Sequence, residues 1–264
     1  MSERLRERFR QGKAEGRPLF VAYVTAGYPS PADTVPVLLA LEAGGADIIE
    51  IGVPFTDPLA DGATIQAANQ VALAQGVSFA QCLEFVYAAR REGLEAPVLL
   101  MGYYNPILAY GEAAAARDGA RLGVDGFIVV DLPPDEASVF ISELRANGLS
   151  FVPLVAPTTE EPRMEIIAAA ADAFLYCVSV TGTTGKANVA VDSLPAFLAR
   201  VRRHTSLPLA VGFGITNRGH VEAIGKMAEA VVVGSAILGA IDTRTSGTAA
   251  EAVRAYVERM TGSQ

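Results

Sequence analysis

The 264-residue chain contains only three lysines, two histidines and two cysteines, and each scarcity closes off a class of chemistry. Lys13, Lys186 and Lys226 all fall outside the strand-like runs, so no amine stands at an inner strand end to form a Schiff base. His204 and His220 sit at a helix end and in an outer-helix pattern, too isolated to gather a metal, and no metal site is expected. Cys82 and Cys177 are far apart and match no disulfide, metal or redox spacing, so they read as unpaired thiols of a cytoplasmic protein. Positive charge is also short: 21 Lys and Arg against 29 Asp and Glu leave a net charge of -8. That balance argues against nucleic acid or an anionic membrane as a partner, while leaving room for a small local phosphate site. The longest apolar stretch, 230–241, is broken by glycines and a serine and is shorter than the roughly 18 residues a bilayer span needs. The start, MSERLRERFRQGK, lacks the apolar segment of a signal peptide. Leu5 and Phe9, four apart among Arg and Glu, predict a short amphipathic helix there instead.

What the chain has in quantity is apolar residues, 51% of the total, arranged as short β-rich runs alternating with helical patterns. Strands are predicted at 19–25, 46–53, 97–103, 126–131, 150–155, 173–179, 208–213 and 230–234, with helices between them. Those helices are expected at 32–43, 63–74 with 79–92, 107–122, 135–147, 160–170, 194–203 and 218–226, and a last one at 248–260. Alternation of this kind implies parallel strands joined by right-handed crossovers. Eight units in about 250 residues favour a closed barrel over an open doubly wound sheet. The expected fold is α/β: a single (β/α)8 TIM barrel spanning residues 1–264, with an extra N-terminal helix and an additional helical segment after strand 2. The first turn, TAGYPSPAD, is no GxGxxG, and GTTGKA at 182–187 lacks the spacing of a phosphate-binding GxxxxGK[ST] loop.

In this fold the working groups stand at the C-terminal ends of strands. The stretch EIGVPFTDPLADG, 50–62, begins at such an end. Side chains alternate along a strand, so Ile49, Ile51 and Val53 form an outward apolar set while Ile48, Glu50 and Gly52 face the barrel interior. An inward Glu50 needs a partner or must shift its ionisation upward, and a glutamate shifted toward neutrality works as a general acid and base. The ordinary alternative is a buried ion pair, but the strand interiors offer no Arg or Lys to complete one. Asp61, just before a helix, reads from the residue alone as an N-cap, and Asp57 as a turn residue. Asp131 ends the fourth strand, either facing the site or starting a turn.

The glycines Gly212, Gly214 and Gly234, with Ser235, follow strands seven and eight, where barrels commonly hold phosphate on backbone N–H groups. The Gly/Thr-rich run from Thr181 to Asn188 follows strand six and reads as a lid. With Lys and His excluded, carbon–carbon chemistry here would run on carboxylates, and the substrate would have to supply its own electron sink.

IEIGVPFTDPLADG, LLMGYYNPI, FIVVDLPPDE, VSVTGTTG, GFGI and VVVGSA, in this order and spacing, resemble the tryptophan synthase alpha subunit family over essentially the whole chain. The resemblance implies retro-aldol cleavage of indole-3-glycerol phosphate to indole and glyceraldehyde 3-phosphate, the indole ring being the electron sink. It implies that Glu50 is the acid/base group and that Asp61 binds the indole N–H. It places Tyr176 and Thr184 at the wall and lid of the site, and Tyr23, Leu100, Ile128, Val155, Phe213 and Val232 around the indole. It assigns Gly185, Gly214, Gly234 and Ser235 to the phosphate. Asp57, Pro58, Asn105 and Pro133 match positions facing a beta subunit in an α2β2 complex. Pyridoxal phosphate is expected in that beta partner and no cofactor in this chain. Tyr23 stands where the family often has phenylalanine, and Thr183 where valine is more usual. Other readings are a stand-alone lyase, another phosphosugar isomerase or epimerase barrel, and a mainly allosteric activator subunit.

Overall fold

The computed structural model describes residues 1–178, 193–212 and 214–262. All strand pairs are parallel. The strands in chain order are β1 (Leu19–Thr25), β2 (Ile48–Gly52), β3 (Val98–Gly102), β4 (Gly126–Val129), β5 (Ser150–Phe151), β6 (Leu154–Val155), β7 (Leu175–Val178), β8 (Leu209–Gly212) and β9 (Ala230–Val233). Their spatial order is β5-β4-β3-β2-β1-β9-β8-β7-β6. The two ends of that order are the two halves of one strand, interrupted at Val152-Pro153. The Val152 N–H reaches Phe127 at 2.9 Å on one side, and the Pro153 carbonyl accepts the Tyr176 N–H at 3.1 Å on the other. The sheet therefore closes into the expected barrel. Pro153, which has no N–H to give, splits the strand that the sequence suggested was continuous.

The helices are α1 (Glu3–Glu15), α2 (Pro31–Ala43), α3 (Ala63–Ala74), α4 (Phe79–Arg91), α5 (Tyr104–Tyr110), α6 (Glu112–Leu122), α7 (Ser138–Ala146), α8 (Glu161–Ala170), α9 (Leu194–Arg202), α10 (Arg218–Gly225), α11 (Ser235–Asp242) and α12 (Ala249–Thr261). α3 and α4 are the additional segment after the second strand. The single helix expected over 107–122 is two, parted at Gly111, whose φ of 97° breaks the helical path. α11, which follows β9 directly, is not among the helices expected over named ranges. α4 and α12 begin with complete capping boxes, Ser78 with Gln81 and Thr248 with Glu251. No single described helix is long and apolar enough to cross a membrane.

Two anchors orient the barrel wall. A Cβ on Gly52 would lie 2.1 Å from the Tyr23 hydroxyl, and one on Gly212 would lie 2.2 Å from that of Tyr176, so these faces point inward. Phe127 packs its ring on Phe79 of α4 and Phe140 of α7, so its face points out. The register then sorts the remaining wall residues.

The N-terminal face of the barrel is closed by α1, with Leu5 fully buried and Phe9 packed 5.3 Å from Phe174. Two buried carboxylates there are fully partnered. Asp47 takes Arg17 at 2.7 and 2.9 Å and the Phe20 N–H at 2.7 Å. Asp125 takes Arg90 at 2.8 Å, Ser2 Oγ at 2.6 Å and the Val98 N–H at 2.9 Å. Charges tied up in this way on the bottom face serve the fold.

Candidate active site

Glu50 is the opposite case. It lies inside the barrel, paired in register with Tyr23 and Leu99, and is 0% exposed. Neither carboxyl oxygen has a hydrogen-bond partner among the described residues. Burial alone pushes its pKa from 4.5 up to about 8. The Tyr176 and Tyr23 phenols feel its charge, and both are held well above their usual range, first by their own burial. A carboxyl kept neutral near pH 7 inside the barrel is a proton donor, and once ionised it is a better base than an exposed carboxylate.

Asp61 comes from the loop after β2. The N-cap of α3 is Gly62 and no side chain caps it, so Asp61 does not serve the helix as its sequence position suggested. Its carboxylate instead accepts the Asn69 Nδ2 at 3.3 Å. Burial raises its pKa from 3.8 to about 6, opposed by hydrogen bonds from Asn69 and Tyr103. The Tyr103 hydroxyl also accepts the Ala60 N–H at 2.9 Å, which pins the loop to the end of β3. The loop's backbone is tied further by Gln66, whose Nε2 donates to the Asp61 carbonyl at 2.8 Å. Two carboxyls that both act on Tyr23 and Tyr176 are thus set apart: near pH 7 Asp61 is mostly ionised and Glu50 mostly protonated. Asp131 is exposed and accepts the Tyr104 N–H at 2.7 Å, so it serves the start of α5.

Among the expected wall residues, Tyr23, Ile128, Tyr176 and Val232 fall on the inner face: Ile128 pairs with Met101, which pairs with Gly52, and Val232 pairs with Val21. Leu100 and Val155 do not. Leu100 pairs with Ile51 and Phe127, on the face packed against the helices, and Val155 pairs with Cys177 rather than with Tyr176. The inward positions are one residue away, at Met101 and Leu154. In VLLMG every side chain is apolar, so nothing in the sequence marks which alternate set faces in. The two other residues missed were Tyr103 and Asn69. The first ends an apolar strand and the second sits mid-helix, where asparagine usually means a solvated face.

Thr184, Gly185 and Phe213 lie outside the described residues, as does the expected lid. Gly214 adopts φ 74°, a conformation open to glycine. Gly234 is the N-cap of α11 and Ser235 its first residue; a Cβ on Gly234 would meet the Tyr23 ring at 3.2 Å. The N-terminus of α11 therefore opens beside the same tyrosine that abuts the Glu50 strand. Asp57 and Asn105 are exposed, Pro133 is half-buried and Pro58 is buried. Beside them on the same segments, Leu59 is 85% and Leu108 53% exposed. No group of three or more potential metal ligands occurs among the described residues.

Comparison with known proteins converges on one family. The profile of the tryptophan synthase alpha chain matches residues 9–263. The chain is 48% identical over 244 residues to the tryptophan synthase alpha chain of Roseiflexus sp. (strain RS-1), covering 92% of this chain and 94% of that one. It is 48% identical over 259 residues to the tryptophan synthase of Saccharomyces cerevisiae, covering 98% of this chain but 37% of that longer protein. Among solved structures, a Mycobacterium tuberculosis tryptophan synthase chain superposes with a TM-score of 0.91 at 34% identity, covering 99% of this chain and 98% of that one. The alpha subunit from Legionella pneumophila gives a TM-score of 0.91 at 33% identity over the same shares. With a profile match over nearly its whole length, and close relatives on both sequence and structure, the chain belongs to the tryptophan synthase alpha chain family.

Proposed function

We propose that the chain cleaves indole-3-glycerol phosphate to indole and glyceraldehyde 3-phosphate, with Glu50 as acid and base and Asp61 as the partner of the indole nitrogen. The observation that carries this reading is Glu50 itself, a carboxyl with no partner among the described residues, fully buried and titrating near 8. In its protonated form it donates to C3 of the indole ring, placing positive charge on the ring nitrogen. The ionised Asp61 accepts the nitrogen's N–H, a bond that strengthens as the charge develops. Glu50, now a carboxylate, removes the proton of the side-chain hydroxyl next to the ring. The bond between C3 and the carbinol carbon breaks, its electrons return to the ring, and indole and the aldehyde leave. Glu50 ends as it began, protonated.

Around this step, Tyr23, Met101, Ile128, Leu154, Tyr176 and Val232 line the ring, with Thr184 and Phe213 assigned by the family pattern. Gly214 after β8 and Gly234 and Ser235 at the start of α11, with Gly185, hold the phosphate. The chemistry uses only carboxylates of this chain, and pyridoxal phosphate belongs to the beta partner. The exposed Leu59 and Leu108, next to Asp57, Pro58, Asn105 and Pro133, support a docking face for that partner in an α2β2 complex. Cytoplasmic placement rests on the family alone.

Incubating the chain with indole-3-glycerol phosphate tests the reading. Equimolar indole and glyceraldehyde 3-phosphate are expected. Conversion of the substrate without indole release would support an isomerase or epimerase instead.

A further inference from the structure

α3 places Asn69 two turns beyond Asp61, and the side chain is 2% exposed. Its Nδ2 donates to Asp61 Oδ2 at 3.3 Å, while its Oδ1 has no hydrogen-bond partner among the described residues. The amide can face only one way, because turning it over would set Oδ1 against the carboxylate. A buried amide oxygen without a partner costs stability, and an apolar side chain would suit that spot in α3 better. The position therefore keeps a group whose one satisfied function is to hold Asp61. On the other side of the loop, Tyr103 accepts the Ala60 N–H at 2.9 Å and supplies the second hydrogen bond to the Asp61 carboxyl.

We propose that Asn69 is a positioning residue of the lyase site, its amide and the Tyr103 hydroxyl clamping the Asp61 carboxylate so that the remaining lone pairs face the ring nitrogen of the substrate. This deepens the function proposed above and rests on it for its catalytic meaning. Among the described residues, the other titratable groups around Asp61 are Tyr103 at the end of β3, Tyr23 on β1, Tyr176 on β7 and Glu50 on β2; Asp57, earlier in the same loop, is exposed. None of these described groups is a cation, so among the described residues it is neutral donors that stabilise the Asp61 anion. Removing one of two such donors disfavours the anion, and Asp61 titrates higher.

The test is a carboxyl-¹³C NMR titration of Asp61, assigned by its loss in Asp61→Asn, in the full chain and in Asn69→Leu and Asn69→Asp, alongside the pH dependence of kcat/KM for indole release. Asn69→Leu is expected to raise the Asp61 titration and the acid limb of kcat/KM together by about one pH unit. Its kcat falls roughly ten-fold or more, with a smaller change in KM and a Tm equal to or above that of the unaltered chain. Asn69→Asp, which sets a second carboxylate beside the first, moves the titration further in the same direction. An Asp61 titration that stays within about 0.2 pH unit in both variants overturns the proposal, whatever happens to Tm. Should one variant fail to fold, the other decides by the same criterion. If the unaltered chain releases no indole, the lyase reading falls, while the NMR titration still decides whether Asn69 governs Asp61.

Discussion

The Tyr23 hydroxyl lies directly over the α-carbon of Gly52, two residues past Glu50 on the same strand: a Cβ there would sit 2.1 Å from the oxygen and 2.6 Å from the ring carbon that bears it. Glycine at this position is what allows the tyrosine to cross the mouth of the barrel from β1, touching the Gly234 side at one end and the Glu50 strand at the other.

Gly52→Ala should therefore displace Tyr23 with little change in the backbone. Misplacement by about 1 Å at a reacting centre costs roughly 10²-fold, and a loss of that order in kcat/KM for indole release is expected. Introduced into a Tyr23→Leu background, the same substitution should cost much less. Equal losses in the two backgrounds would show that the Gly52–Tyr23 approach is not what the alanine disturbs.

Much of this site was legible in the sequence, for identifiable reasons. Glu50 stood out because a charge among isoleucines breaks an apolar pattern, and alternation then assigned its face. Leu100 and Val155 were placed one residue off because β3 is apolar on both faces and β6 is two residues long behind Pro153, so neither carries a polar mark of register. Asp61 read as a cap until the structure gave that place to Gly62 and turned the carboxylate toward Asn69 and Tyr103. Tertiary partners of this kind, eight and more residues away in sequence, leave no local pattern.

Stability should respond to pH in a direction opposite to that of a salt-bridged carboxylate. Glu50 titrates at 4.5 when exposed and at about 8 in the fold, so between those values the folded chain holds a proton that the unfolded chain has lost. Folding stability then falls as pH rises through that window, by up to about 1.4 kcal/mol per pH unit from this one group, and levels off above it. Glu50→Gln cannot ionise. Urea unfolding should show the variant close to the unaltered chain at pH 4.5 and increasingly the more stable of the two up to about pH 8, with a constant difference above it. Parallel pH profiles for the two proteins would mean that Glu50 keeps its ordinary titration.

The docking face is tested by charge. Leu59 and Leu108 are 85% and 53% exposed, so Leu59→Asp and Leu108→Asp should leave the Tm of the isolated chain nearly unchanged. Loss of an apolar anchor at an interface typically costs more than 1 kcal/mol, so each substitution should weaken binding to the beta subunit about ten-fold. Titration calorimetry against that subunit measures it. Unaltered affinity in both variants would move the interface elsewhere.

That one buried carboxyl, without a partner among the described residues, carries both proton transfers is tested most directly by kcat for indole release from indole-3-glycerol phosphate by Glu50→Gln, compared with the unaltered chain at pH 7. Glutamine keeps the shape and the burial but neither gives nor takes the proton, so the account predicts a folded variant whose kcat is lower by roughly 10²–10⁴-fold. A Glu50→Gln variant that releases indole at close to the original rate would contradict it.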